Sequence, residues 1–510
     1  MRTIEILRAL AFAGLALHCG APPSRAVAPA PVVVDADARA GLDHLNRVRT
    51  SIGLHPVELD PEMSRKAELH ARYLAANAGR PEIAGLLAHD EVMTLPGATA
   101  DGAEAGHASV IAFDDAVAPE AIETWLSTLY HRTPLLRRDL RLVGIGHTAR
   151  IHVLMVDRDH SPAIQPPVMF PTARDVPAQF CSGEVPEPRP AAWFGTTWAE
   201  ATELRSGYPV TVTFDPRAQL ANVRATLEDP AGPVEVAASW PAAPATSFPQ
   251  GPVVAMLPRR PLRGGTIYRA TVEATDRGVP VRLAWEFRTA DAATVDAARI
   301  VPPPKGVPVV LEGVVESAYV QQQCESQPPT QCRARISIGF LRADPAAIAA
   351  QVYMLDGDTD ADRVLGLVGK RIRASGFAEY PAPRLLEVTV ANAAALEVSP
   401  EEPVELAAEV LGEAHVGTAL RVTGSVPVVP ALSDQPIYVR IGTTGMVTIQ
   451  ASADTWAKVF AQLGGPVKKP VRRQVSVRGV IRRGAPTADG LYIYVSHPSQ
   501  VVVRASSSTR

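Results

Sequence analysis

Cysteine is scarce in this chain, with four in 510 residues, which excludes a fold stapled throughout by disulfides. Aromatic residues make up only 5%, while 47 prolines punctuate the sequence, a balance that points to many turns and linkers. No apolar run approaches the 18 or so residues needed to cross a bilayer as a helix. A net charge of -3 lacks the concentrated basic face of a nucleic-acid binder. Several catalytic signatures are also missing: there is no Gly-x-Ser-x-Gly, no His-Glu-x-x-His and no phosphate-binding glycine loop. The acidic stretch 356–362 fails the spacing of a calcium-binding EF-hand, having neither the sixth-position glycine nor the twelfth-position glutamate. It reads as a solvated loop. The basic residues between Lys468 and Arg483 form a modest patch on a strand.

What is present begins with a leader. Arg2 and Arg8 precede a nine-residue apolar run, 9–17, which fits a signal-peptide core and implies export. Cys19 follows Leu15-Ala16-Leu17-His18 and resembles a bacterial lipoprotein signal, so Cys19 is a candidate for lipidation and a membrane tether. Ala26-Val27-Ala28 offers an alternative cleavage site. Residues 1–19 are therefore read as a signal and 20–36 as a linker. Cys324 and Cys332, eight apart between two strand-like segments, are a candidate disulfide in an oxidising compartment. A zinc site there lacks any CxxC pair. Cys181 has no assigned role.

Periodicity divides the rest. Leu42, Leu45, Val48 and Ile52 recur at helical steps. A second helix opens at Asp60-Pro61-Glu62, with an N-cap residue, a first-turn proline and an acid near the positive helix end. A third, from near Pro119, places Ile122, Trp125, Leu126, Leu129 and Tyr130 on one face and is bounded by Pro134. If this helix is continuous, His131 lies off its apolar face. Two strand-like runs, 142–145 and 151–156, complete a layered α/β unit over 37–160. Residues 161–205 read as a Pro-rich connection. Period-two alternation over 206–290, with turns every eight to twelve residues, has the rhythm of an Ig-like β-sandwich. Residues 291–307 read as a linker.

The last 200 residues look duplicated. The segment 309–315 opens one copy and 419–426 the next; each later carries basic residues leading into a strand with a glycine, Gly376 in one and Gly479 in the other. Two small, OB-like β-barrels are expected, over 308–399 and 400–505, because strands kinked at glycine suit small barrels.

Within 38–158, Leu45-Asn46-Arg47-Val48-Arg49, Gly53-Leu54-His55-Pro56-Val57, Glu68-Leu69-His70, His89-Asp90-Glu91, Trp125-Leu126-Ser127, His131-Arg132 and Val143-Gly144-Ile145-Gly146 stand in an order that resembles the CAP family of cysteine-rich secretory, antigen-five and pathogenesis-related proteins. The resemblance implies an α-β-α sandwich and a cleft with two histidines and two acids that in some members binds a divalent metal. It places the histidines at His89 and His131, with zinc as the favoured ion. The acids fit less well. In place of the usual Gly-Glu-Asn segment stands Gly102-Ala103-Glu104-Ala105-Gly106-His107, making Glu104 the nearest substitute, and Glu123 partly replaces the second acid. The bland alternatives are a turn histidine at His89, a helix-end histidine at His131, a solvated acid at Glu104 and a packed or surface helix residue at His70.

The expectation is a multidomain exported protein, periplasmic, extracellular or an outer-membrane lipoprotein. It binds or scaffolds an envelope polysaccharide, lipid or protein and uses no nucleic acid. The competing expectation is a zinc hydrolase in which His89 and His131 hold the metal and Glu104 or Glu123 is the base. Lipid or sterol carriage, known for some CAP relatives, is the third.

Overall fold

The computed structural model describes residues 35–113, 117–148, 150–157, 161, 163–180, 193–195, 206–245, 250–324, 332–344, 346–354, 361–382, 384–390, 392–430, 436–442, 447–467, 469, 471–484 and 490–504. The leader, Cys19 and Cys181 lie outside them, as does most of the acidic stretch 356–362.

The first unit starts with α1 (Ala36–Ser51), whose N-cap Asp35 accepts a hydrogen bond from the Ala38 amide at 2.8 Å. After β1 (Glu58–Leu59), helix α2 (Pro61–Ala76) begins as its sequence dictates, with Asp60 accepting from the Met63 amide at 2.8 Å and proline in the first turn. Two 3-10 turns, Pro81–Ile83 and Gly85–His89, lead to α3 (Ala100–His107) and β2 (Ser109–Phe113). Then come α4 (Ala118–Leu126), α5 (Leu129–Leu135), β3 (Leu142–Thr148) and β4 (Ile151–Val156). The strands form a sheet in the order β1-β3-β4-β2, parallel only between β1 and β3.

Strand alternation separates two cores. Leu154 and Val156 pack with Leu45, Ile122 and Trp125, whereas Val153 and Met155 pack with Ala67, Ala71 and Ala105. Helices thus cover both faces of the sheet, as an α-β-α sandwich requires. Two glycines bring α2 down onto β3. A Cβ on Gly144 would lie 2.3 Å from the Met63 carbonyl carbon, and one on Gly146 would lie 2.1 Å from the Glu68 nitrogen. Fully buried Arg49 braces the opposite side, donating to the carbonyl oxygens of His55, Leu135 and Arg137.

The single third helix expected from periodicity is broken. It stops at Leu126 and restarts at Leu129 with Thr128 as the new N-cap, and Pro134 lies inside the second piece. The break turns His131 inward: it is only 5% exposed, not on a polar face.

The second unit comprises β5 (Val168–Phe170), β6 (Val210–Thr213), β7 (Leu220–Asp229), β8 (Gly232–Val234), β9 (Val236–Ser239), β10 (Val253–Pro258), β11 (Ile267–Asp276) and β12 (Val279–Arg288). They make two four-stranded sheets, β5-β6-β10-β9 and β12-β11-β7-β8. Strand β5 comes from the stretch expected as a connection, and Gln179 bridges to Gly207 nearby. The apolar faces of both sheets belong to the same core as α1 and α4. The seam is specific. Arg132, 1% exposed, donates to Leu126 O and to Pro209 O, each at 2.7 Å, and its guanidinium lies 4.7 Å from the Phe170 ring centre and 5.0 Å from that of Tyr208. The Tyr208 hydroxyl donates to Leu126 O at 2.9 Å.

The third unit comprises β13 (Ala293–Asp296), β14 (Pro308–Cys324), β15 (Cys332–Phe340), β16 (Ala349–Met354), α6 (Ala361–Leu365), β17 (Arg371–Ala382), β18 (Leu385–Val390) and β19 (Leu396–Val398). Strand β13 falls inside the expected linker and pairs in parallel with β14. Because β14 pairs with both β15 and β17, the order β14-β15-β16-β18-β17 closes on itself as a five-stranded barrel, with β16 and β18 parallel. Register puts Cys324 directly opposite Cys332.

The fourth unit repeats the scheme with β20 (Glu405–Ala407), β21 (Ala419–Pro427), β22 (Ile437–Arg440), β23 (Val447–Ala451), α7 (Ala453–Gln462), β24 (Arg472–Arg483), β25 (Leu491–Val495) and β26 (Val501–Val503). Strand β20 is parallel to β21 as β13 is to β14; β23 is parallel to β25 as β16 is to β18; β26 pairs β24 as β19 pairs β17. The duplication extends to register, since Gly376 opposes Val309 and Gly479 opposes Leu420. A Cβ on either glycine would strike the following strand, at Thr389 O (2.5 Å) or Ile493 Cγ2 (2.4 Å). Arg478 joins the two copies by donating to the Val368 and Gly366 carbonyls. Among the described residues no helix is long and apolar enough to cross a membrane.

Candidate functional site

A cavity of about 490 Å³ opens where the first unit meets the second. His89, His107, Ser109, Leu129, Tyr130, His131 and Thr133 line it from the α/β side; Gln250, Gly251 and Val253, at the start of β10, line it from the sandwich. Clefts between domains are common places for ligands because two rigid surfaces enclose more area than one.

His89 ends the 3-10 turn Gly85–His89, and its Nδ1 donates to the Gly106 carbonyl at 2.8 Å. His131 comes from the first turn of α5. Its Nδ1 lies 3.1 Å from Thr128 Oγ1, and that hydroxyl donates to Trp125 O, so the threonine oxygen accepts from the imidazole. In the neutral rings both Nδ1 atoms therefore carry the proton and both Nε2 atoms carry the lone pair. Burial, reinforced by the neighbouring His89, pushes the His131 pKa down to about 4. His131 is thus neutral near pH 7.

Behind these rings lies support that sequence reasoning left as a packed helix residue. His70 is fully buried on α2; its Nε2 donates to Ala88 O at 2.9 Å and its Nδ1 shares a proton with Glu91 Oε1 at 3.0 Å. Burial holds the His70 pKa below its usual value. Glu91 also accepts from the Thr99 amide at 2.7 Å. A Cβ on Gly106 would lie 2.4 Å from His89 O and 2.6 Å from His70 Cε1. His70, Glu91 and Gly106 hence fix the turn that carries His89. The adjacency of His89, Asp90 and Glu91 in sequence was the available signal.

The two acids expected in the cleft sit elsewhere. Glu104 is half-exposed on α3 and pairs with Lys66 at 2.8 Å. Glu123, on α4, pairs with His44 of α1. Among the described residues lining the cavity, neither is present and no carboxylate is. The nearest acid in sequence to His89, Asp90, is engaged by exposed His107 at 2.8 Å. A catalytic zinc needs three protein ligands and a structural one four. Among the described residues the cavity brings His89 and His131 to one wall without the carboxylates of the cleft tetrad, a donor set short of the three ligands of a hydrolytic zinc.

Residues 42–149 match the sequence model of the CAP family, described as the cysteine-rich secretory protein family. The N-terminal domain is a CAP domain, with β-rich units following it. No curated protein matches the chain. Among solved structures, the I-band fragment I67-I69 from titin aligns at 8% identity, covering 66% of this chain and 99% of that one, with a TM-score of 0.13. An E-to-A mutated variant of the three-Ig titin segment I67-I69 aligns at 9% identity over 56% and 86% of the two chains, with the same TM-score. At that score neither alignment bears on the fold.

Proposed function

We propose that the chain is an exported binding protein of the cell envelope, in which the CAP cleft, walled on one side by the following β-sandwich, holds a ligand without chemical turnover. The observation that carries this reading is the composition of the cavity wall. Three imidazoles, a tyrosine and the polar Ser109, Thr133 and Gln250 surround apolar Leu86, Leu129 and Val253, with no carboxylate among the described lining. Such a surface offers hydrogen bonds and stacking to a neutral segment of polymer, but no acid–base pair to cleave it. We read the two four-stranded sheets as an Ig-like module and the duplicated five-strand units as OB-like modules, which act as scaffold. The leader around residues 9–17 supports export, and Cys19 is the candidate lipid tether. The Cys324–Cys332 register supports a cross-strand disulfide, to be read as a mass two hydrogens lower before reduction than after it.

The test is calorimetry of the full chain with soluble peptidoglycan and envelope-polysaccharide fragments, alongside release assays on the same fragments. Binding that is weakened at least tenfold by His89→Ala/His131→Ala, without product release, is expected. Turnover abolished by the same pair of changes would instead establish the hydrolase. Labelled-palmitate incorporation lost in Cys19→Ala is the expected result for the tether.

A further inference from the structure

A second cluster of metal-ligating side chains lies away from the cavity and shares no residue with it. His147 and His152 stand directly opposite each other across the β3–β4 hairpin, their rings nearly parallel at 14° and 5.5 Å between centres. The first turn of α1 brings Asp37 to them. Its Oδ2 lies 3.3 Å from His152 Nε2 and 4.0 Å from His147 Nε2, and all three ligand atoms fall within 4.8 Å of one another. Asp35 Oδ2 lies 2.6 Å from His147 Nε2.

We propose that Asp37, His147 and His152 form a site for a divalent cation of the zinc type, with water in the fourth position. Four lines of geometry and chemistry converge on it. A tetrahedral zinc with bonds of about 2.0–2.1 Å sets its ligand atoms roughly 3.3–3.5 Å apart, a spacing that the 3.3 and 4.0 Å separations bracket. One carboxylate and two neutral imidazoles give three protein ligands, the number a zinc with an open position takes, and imidazole with carboxylate is a donor set suited to zinc. The ligands are held before the ion arrives: both Asp37 oxygens accept from the Ala118 amide at 3.0 Å, and Asp35, fixed through Oδ1 by the Ala38 amide, holds the His147 ring in place through Oδ2. Access is one-sided, because the His152 side chain is 1% exposed whereas those of His147 and Asp35 are 28% and 53% exposed. Capping explains why aspartates stand at α1 and α4. It does not explain why two histidines face each other beside them. The ion would tie the first turn of the CAP domain to the edge of the hairpin.

The test uses the full chain stripped with a chelator, titrated with zinc alone by calorimetry and with cobalt followed by its visible absorption. One ion per chain is expected, with the intense d–d bands of a tetrahedral site. Asp37→Asn and His147→Gln should weaken zinc by more than the roughly 10–100-fold that loss of an outer-shell partner costs. His89→Ala/His131→Ala should leave it unchanged. His147 is partly exposed, so His147→Gln keeps the test available if a change at buried His152 prevents folding; far-ultraviolet circular dichroism without metal checks each variant. Absence of stoichiometric binding, binding indifferent to Asp37 and His147, or binding abolished by the cleft changes would each overturn the site. The last outcome would move the metal into the cavity, whereas failure of the cavity to bind polymer leaves this site untouched.

Discussion

His131 shows what a wheel diagram can and cannot say about one side chain. The family resemblance singled it out with His89, but periodicity set it on the polar side of a continuous helix. Two residues, Ser127 and Thr128, interrupt that helix, and the second piece aims the imidazole inward. Its burial has a measurable consequence. An unfolded histidine takes up its proton near pH 6.5, the folded one only near 4, so between these values the unfolded state binds more protons and stability falls as the pH drops. Full expression of that shift amounts to about 3 kcal/mol. Urea unfolding of the full chain at about pH 7 and about pH 4.5 should show a larger loss for the native protein than for His131→Gln. Equal losses would mean that the ring is already solvated. His147 and His152 passed unnoticed because their sequence spacing carries no familiar metal pattern; only hairpin register makes them neighbours.

At the level of elements, the strongest sequence signals were those that local sterics explain. Asp60-Pro61 announces α2 because the side-chain cap and the proline each satisfy a need of the first turn. Gly144 and Gly146 were legible only as part of a family pattern; the structure supplies the reason, which is backbone of α2 lying where a side chain would be. Gly146→Ala should therefore lower stability by on the order of 3 kcal/mol, since the obstructing atoms are main chain and cannot rotate away. A thermal-melting series including Gly53→Ala, where nothing crowds the added methyl but the backbone is left-handed, separates overpacking from strain. An unchanged melt for Gly146→Ala would contradict the packing described. The duplication of the two C-terminal β units was readable for the same steric reason, through Gly376 and Gly479. The swap of strand order that closes a barrel was not, because it depends on pairings between distant segments.

For the molecule as a whole, the change from helical to alternating pattern near residue 161 identifies a change of architecture but does not mark a boundary between cores. Periodicity reports which face of an element is apolar; it is silent on which other element covers it. Here α1 and α4 share their core with both sheets of the sandwich, and Arg132 is buried across the seam. Arg132→Met should remove its bond to Pro209 O and its contacts with the Phe170 and Tyr208 rings, costing about 2–4 kcal/mol. Scanning calorimetry should then resolve the CAP and sandwich regions into separate transitions; a single unchanged endotherm would show the seam to be dispensable. Gln250, Gly251 and Val253 escaped the sequence reading of the cavity for the same reason.

Those three residues lie a hundred positions beyond the stretch that marks the family. Under the proposed binding role, selectivity in this groove is open to change by drift in a neighbouring fold, while every hallmark of the CAP signature stays constant. Relatives alike over their first 150 residues and unlike thereafter should be expected to differ in what they hold.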